Sequence, residues 1–487
     1  MISRRSLPGL LLPALLLALF FPAVSGAARP LETGVTTPDA ARSEPLGYER
    51  IKEAGANFTR IIINWALVAP NVEPKSWDPT DPDDPNYDWS EYDFAIGNAT
   101  DAGLRVLASI YQAPAWAERC KAKIAGICNP DPNMFADFTE AAAERYDGSG
   151  PQPRVQYWKA WNEPNLFLFF LPQFRGGKKV SPGLYRTMLN KFATRVRAAN
   201  PSNLVLGGGL APLQRPGGLG PLDFMRRLLC LKGRSNPKPI KGCGAKAKFD
   251  IWANNPYTTG GPTHKSAGPD DVSLGDLPKV KKVIKAASRY RKVSSKPKRP
   301  ALWVTEFSWD SNKPDPGATP MRTLKKWVPE ALYGAWKAGV SKFFWLSLRD
   351  WERAPGLPYS ETIESGLYFR GNTLSADRPK PILRAFRFPL VSYRKKSGLS
   401  VWGRTPGSKS AKVIIRYRHK GGWGKIRTLR SGNNGVFSTF IRTRKGKGNK
   451  GSVQAEVKGG PAVTLGQHKS LPFPLKPIRD YFQPPFG

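Results

Sequence analysis

The chain has 487 residues, 40% of them apolar, and 76 Lys and Arg against 37 Asp and Glu leave a formal net charge of +39. That is enough apolar material for a large domain plus a small one. Beyond the N-terminal segment no stretch approaches the ~20 apolar residues of a membrane span, and no nucleic-acid-binding motif accompanies the charge, so the composition supports neither class.

The N-terminus reads as a targeting segment. Arg4 and Arg5 precede an apolar run over 10–21, and small residues follow at Ser25, Gly26, Ala27 and Ala28. Residues 1–27 are expected to be a secretory signal peptide, removed on export, which predicts a secreted protein, either free or wall-associated. Then strands and helices alternate. Strands are predicted at 31–36, 58–63, 105–110, 155–160, 204–208, 249–253, 301–305 and 342–346, on runs rich in β-branched and aromatic residues. Helices are predicted at 46–54, 89–102, 134–146, 182–199, 222–231, 274–290, 321–338 and 379–386. Gly55, Gly103 and Gly339 stop three of them. Asp131-Pro132 starts the third helix and Ser181 is the expected N-cap of the fourth. The Asp/Pro-rich stretch 71–88 forbids regular structure and predicts an excursion at one end of the fold. The alternation predicts an α/β fold, a (β/α)8 TIM barrel over 28–389.

After 389 the texture changes. Short alternating runs at 399–402, 413–417, 425–429, 436–441 and 452–457 are separated by Gly, Ser and Asn clusters, with Asn434-Gly435 a strong turn signal. They predict a small all-β sandwich over 390–466, followed by a Pro- and aromatic-rich tail, 467–487. From 385 onward 22 Lys and Arg stand against two acids, Glu456 and Asp480. Such charge fits an anionic partner, such as a cell-wall polymer or acidic glycan, or a general bias toward Lys and Arg.

Four cysteines suit an oxidising compartment and allow three pairings. The local pairs Cys120–Cys128 and Cys230–Cys243 are expected, because each closes a short loop in a region where active-site loops should lie. A metal site is the weaker alternative. The three histidines, His264, His419 and His468, are remote in sequence from either pair. Gly207-Gly208-Gly209 lacks the spacing of a phosphate loop. No metal and no organic cofactor is implied.

Two stretches share one grammar. Tyr157-Trp158-Lys159-Ala160-Trp161-Asn162-Glu163-Pro164-Asn165 is an apolar run that ends in an amide and a carboxylate, with Pro164 closing the strand. Trp303-Val304-Thr305-Glu306-Phe307 repeats the pattern. The two glutamates are 143 residues apart, against a floor of ~95 for three barrel units of ~31 residues. The cysteine-closed segment and the loops around Pro216 and Gly261 absorb the excess.

Trp161-Asn162-Glu163-Pro164-Asn165 resembles the acid/base signature, and Thr305-Glu306-Phe307 the nucleophile strand, of the retaining glycoside hydrolases of clan A. The nearest families are 39 and 5, and the likeness covers roughly 31–389. The resemblance implies a secreted glycosidase cleaving β-linked O-glycosidic bonds in a carbohydrate substrate. It makes Glu163 the acid/base and Glu306 the nucleophile, with carboxyls about 5–5.5 Å apart. Asn162 matches the asparagine that bonds the sugar 2-hydroxyl, Arg60 the strand 2 arginine beside the nucleophile, and Tyr257 the tyrosine bonded to it. Trp345 matches the tryptophan that floors the sugar subsite. Asn255 stands where the clan often has histidine, which puts that substrate contact in doubt. Trp65 and Trp116, at strand ends, are candidate stacking platforms or packing residues. The alternative reading is a non-catalytic carbohydrate-binding or wall-attachment protein on a degenerate barrel.

Overall fold

The structure is a computed structural model and describes residues 28–36, 44–359, 362–395, 398–407, 409–419, 422–442 and 452–466. The expected signal peptide and tail lie outside the described residues. Eight parallel strands close a barrel: β1 (Glu32–Thr36), β2 (Phe58–Asn64), β3 (Arg105–Tyr111), β4 (Tyr157–Ala160), β5 (Leu204–Leu210), β6 (Ile251–Asn254), β7 (Ala301–Val304) and β8 (Val340–Leu346). Each pairs with its sequence neighbours, and β8 returns to β1, with Val35 opposite Trp345. The helices that alternate with these strands are α1 (Pro45–Glu53), α2 (Ser90–Asp101), α3 (Pro132–Arg145), α4 (Ser181–Ala199), α5 (Pro221–Leu228), α6 (Leu277–Arg289), α7 (Met321–Ala338) and α8 (Pro381–Arg387). The expected (β/α)8 barrel is the observed fold.

Local chemistry explains most boundaries. The Asp131 side chain accepts from the backbone N–H groups of Asn133 and Met134, and α3 starts there. Gly339 ends α7 with φ +100°, a conformation that costs glycine little. Two expectations are corrected. Ser181 does not cap α4: Val180 holds the N-cap position, while the buried Ser181 hydroxyl donates to Gln173 Oε1 at 2.8 Å. The predicted helix over 274–290 begins as a separate 3-10 turn, Leu274–Asp276, with a capping box between Ser273 and Asp276.

The barrel interior is layered because strand side chains alternate. The lower layer is apolar: Phe58, Leu107, Tyr157, Leu206, Ile251 and Trp303 pack together with Phe344. Gly34 on β1 makes room for Phe344, whose ring would lie 2.4 Å from a Cβ there. Two residues further along three of these strands the inward positions turn polar, with Arg60 on β2, Ser109 on β3 and Lys159 on β4, all buried. The same alternation that builds the apolar floor thus aims polar groups at the C-terminal mouth.

Both local disulfides are present, Cys120–Cys128 and Cys230–Cys243. Only the first lies at the mouth, in the segment between β3 and α3. The second follows α5 and precedes β6, on the flank of the barrel, where Arg186 Nη1 of α4 lies 3.0 Å from Cys230 Sγ.

Seven antiparallel strands follow: β9 (Leu390–Lys395), β10 (Gly398–Arg404), β11 (Lys412–His419), β12 (Gly422–Arg430), β13 (Val436–Arg442), β14 (Ser452–Val457) and β15 (Ala462–Gly466). They form a three-stranded sheet, β9-β10-β13, and a four-stranded sheet, β12-β11-β14-β15. Leu399, Val401 and Phe437 from the first pack on Val413, Ile415, Val453 and Ala455 from the second. The other face of the first sheet lies on the barrel. Tyr393 and Trp402 contact Tyr333 of α7 at 5.3 and 5.5 Å between ring centroids. Fully buried Arg404 donates to Leu31 O at 3.1 Å and Gly55 O at 2.9 Å.

Candidate active site

The chain leaves β4 through a strained turn. Trp161 (φ 65°) and Glu163 (φ 39°) both adopt left-handed backbone, which costs residues with side chains of order 1–3 kcal/mol each. Packing and hydrogen bonds impose it. The Trp161 indole is fully buried, packs against Phe135 and Tyr111, and donates to Phe169 O at 2.6 Å. The Glu163 N–H reaches Gly209 O at 3.2 Å. Buried Asn165 ties the far side down, accepting from Ala211 N at 2.9 Å and donating to Leu219 O at 3.0 Å.

The turn brings Glu163 over the mouth, facing Glu306 just beyond β7. One amide bridges them. Asn255 Nδ2 donates to Glu163 Oε1 at 2.9 Å and reaches Glu306 Oε2 at 3.5 Å. These two oxygens therefore stand no farther apart than both legs together, about 6.4 Å. The Thr305 hydroxyl donates to Asn255 Oδ1 at 2.9 Å, which fixes which end of the amide faces the carboxyls. Asn255 is fully buried beneath the pair, and its amide nitrogen is directed at the two glutamates.

The carboxyls have opposite surroundings. Glu306 receives Arg60 Nη1 on Oε2 and the Tyr257 hydroxyl on Oε1, both at 2.7 Å. Arg60 is itself held by Ser109 Oγ at 3.1 Å and by Asn162 Oδ1 at 3.0 Å. Glu163 is buried, with a pKa pushed up to about 8, first by loss of solvent and then by the charge of Glu306; Asn255, Lys159 and Arg60 oppose that rise. One carboxyl is thus placed to hold a proton near neutral pH while its neighbour accepts two strong donors.

Arg60, Asn162, Asn255 and Tyr257 are brought together with both glutamates. The three tryptophans pack against other side chains in this structure. Trp345 is fully buried, bonded to Ser365 O at 2.7 Å and packed on Phe307 and Phe386. Trp65 is buried with its ring stacked on Phe138 at 5.5 Å. Trp116 is half-buried, edge-on to Trp65 and Trp77, and its indole holds Pro70 O at 2.8 Å, pinning the 71–88 excursion. Trp65 and Trp116 fill space beside the excursion, which has few apolar residues of its own.

Two polar neighbours were not anticipated. Tyr111 ends β3 next to Trp161, and burial and the charge of Glu163 raise its phenol above the usual range. Lys159 lies buried under Asn162. A lone lysine inside an apolar run, at the same strand parity as Tyr157, was the available signal.

The fold and the rim define a parallel (β/α)8 barrel with an appended sandwich and a carboxylate pair at its C-terminal mouth. The structure is similar to that of a family 39 glycoside hydrolase from the gut symbiont Bacteroides cellulosilyticus WH2, at TM-score 0.52 and 15% identity, over 85% of this chain and 81% of that one. It is also similar to a monomeric beta-xylosidase from Caulobacter crescentus CB15, at TM-score 0.51 and 14% identity, over 86% of this chain and 96% of that one. At these identities the likeness is one of fold. No protein-family model and no curated protein matches the sequence.

Proposed function

We propose that this protein is a secreted retaining glycoside hydrolase of clan A, near family 39, acting on β-linked O-glycosides. The observation that carries this reading is the carboxylate pair bridged by Asn255, with one member buried and proton-holding and the other gripped by Arg60 and Tyr257. The bound of about 6.4 Å on this one oxygen pair supports the short carboxyl separation of retaining enzymes, about 5–5.5 Å, over the roughly 6.5–9.5 Å that leaves room for an attacking water. Glu306 attacks the anomeric carbon as the glycosidic C–O bond breaks, and Glu163 gives its proton to the leaving oxygen. The glycosyl ester removes the charge that raised the Glu163 pKa, so Glu163 next takes a proton from water. That water attacks the same carbon and frees Glu306. A sugar hydroxyl in place of water gives transglycosylation.

The division of the chain belongs to the same proposal: a signal peptide over 1–27, the catalytic barrel over 28–389, the sandwich over 390–466 and the tail over 467–487. Disulfides at Cys120–Cys128 and Cys230–Cys243 suit export. Val413 and Ile415 face the sandwich core, so Lys412, Arg416 and Arg418 lie on the outer face, in register with Arg430, Lys425 and Trp423. This basic face supports an anionic cell-wall or acidic-glycan partner.

The test is hydrolysis of a panel of aryl β-glycosides and polysaccharides, with product anomers followed by NMR. Retained configuration is expected. Glu306→Gln should abolish turnover of every substrate. Glu163→Gln should cost about 10²–10⁴-fold on poor leaving groups and far less on dinitrophenyl glycosides, which need no proton. An inactive wild type, or inverted product, overturns the reading.

A further inference from the structure

Lys159 is an ionisable group beneath the site that neither half-reaction uses. It projects inward from β4 and is fully buried. Its ammonium donates to Trp161 O, inside the strained turn, and to Asn162 Oδ1 at 3.3 Å. Asn162 Oδ1 also accepts from Arg60 Nη2 at 3.0 Å. Two donors on one oxygen leave Nδ2 as the end free to meet a sugar hydroxyl. Space for the lysine is built into β5. Gly209 has φ +68°, and a Cβ there would lie 2.3 Å from Lys159 Cε and 2.6 Å from Nζ. The run Gly207-Gly208-Gly209, which no phosphate loop explains, thus has a role: its last member clears the lysine, and its carbonyl holds the Glu163 N–H.

We propose that Lys159 is a positioning residue for the reaction: it locks the Asn162 amide in one orientation and supplies, from below, positive charge against which Glu163 loses its proton. Charged groups face it from three sides, Arg60 on β2, Glu306 beyond β7 and Glu163 beyond β4. The phenols of Tyr257, after β6, and Tyr111, ending β3, face the same carboxyls. Burial and Arg60 pull the lysine well below its ordinary range, while Glu306 and Glu163 pull it up. Its charge is therefore tied to theirs. When Glu163 becomes anionic in a site with little water, Lys159 is the cation that gains most from it. The proposal rests on the glycosidase reading.

The experiment compares Lys159→Gln, which keeps a hydrogen-bond donor and removes the charge, with Lys159→Met, which removes both. The substrates are the aryl β-glycoside that wild type turns over fastest and its 2-deoxy counterpart. Removing the cation should raise the pKa of Glu163, so the basic limb of kcat/KM should move up by about one pH unit in both variants. Preference for the 2-hydroxyl should fall about fivefold in Lys159→Met and stay near wild type in Lys159→Gln. Should neither variant fold, Asn162→Ala reads the same division: the 2-hydroxyl preference is lost and the basic limb stays in place. A basic limb unmoved in a folded Lys159 variant, or moved by Asn162→Ala, overturns the proposal while wild-type activity stands. A wild type inactive on the whole panel overturns the glycosidase reading, and this proposal with it.

Discussion

At the scale of single residues, Glu163 is held in a form that suits the proposed chemistry at a cost to stability. Its carboxyl has an ordinary pKa of 4.5 and is raised to about 8 in the fold. Between those values the folded chain keeps a proton that the unfolded chain releases. Folding is therefore favoured less as pH rises from about 4.5 to about 8, and the loss persists above that. Glu163→Gln is neutral throughout and can still accept from Asn255. Its thermal midpoint should exceed that of wild type above pH 8, and the gap should close below pH 4.5. Calorimetry at both pH values checks this; equal midpoints at pH 9 would mean that Glu163 is not the strained group.

At the scale of elements, what matters is how the ends of β4 and β5 meet. The β4 exit turn needs left-handed backbone at Trp161 and Glu163, and β5 answers with glycines at the facing positions. Two glycines make the contrast testable. In Gly209→Ala the new methyl would sit 2.3 Å from Lys159 Cε on a backbone of φ +68°, and it should destabilise the protein by about 1–3 kcal/mol and cost activity. Gly97, inside α2, has nothing within 4 Å of a Cβ, and Gly97→Ala should stabilise by up to about 1 kcal/mol with activity intact. Urea denaturation of both variants measures the difference, and a neutral Gly209→Ala would show that the close approach is not needed.

For the whole molecule, the sandwich is part of the barrel's surface as well as a carrier of charge. Tyr393, Trp402 and Arg404 cover α7 and the start of the barrel. Truncation near residue 385 would cut α8 and expose that apolar face, so loss of activity on truncation would not separate docking from chemistry. Reversal of surface charge does. Lys412→Glu, Lys425→Glu and Arg430→Glu together should weaken salt-sensitive retention on an acidic polysaccharide, leaving turnover of a small aryl glycoside unchanged. Unchanged retention would return the charge to compositional bias.

Much of this was legible in the sequence. Strand positions 58–63, 105–110 and 301–305 followed from β-branched and aromatic runs, α7 from its period and Gly339, and both glutamates from a shared strand-to-loop pattern. Strands β9 and β15 were not, since no turn cluster separates β9 from α8 and β15 runs only from Ala462 to Gly466. The packing of the tryptophans was not legible, because an aromatic at a strand end reads alike whether it faces a sugar or a neighbouring ring. The place of Asn255 between the two glutamates was not legible because they lie 92 and 51 residues away, and Lys159 was passed over because the space that admits it is made by Gly209 of a neighbouring strand. Local pattern, set by side-chain period and backbone preference, determined the elements and the two carboxyls. Which groups those carboxyls meet, and which of them keeps its proton, was decided only by closure of the barrel, because burial and charge proximity are properties of the assembled ring.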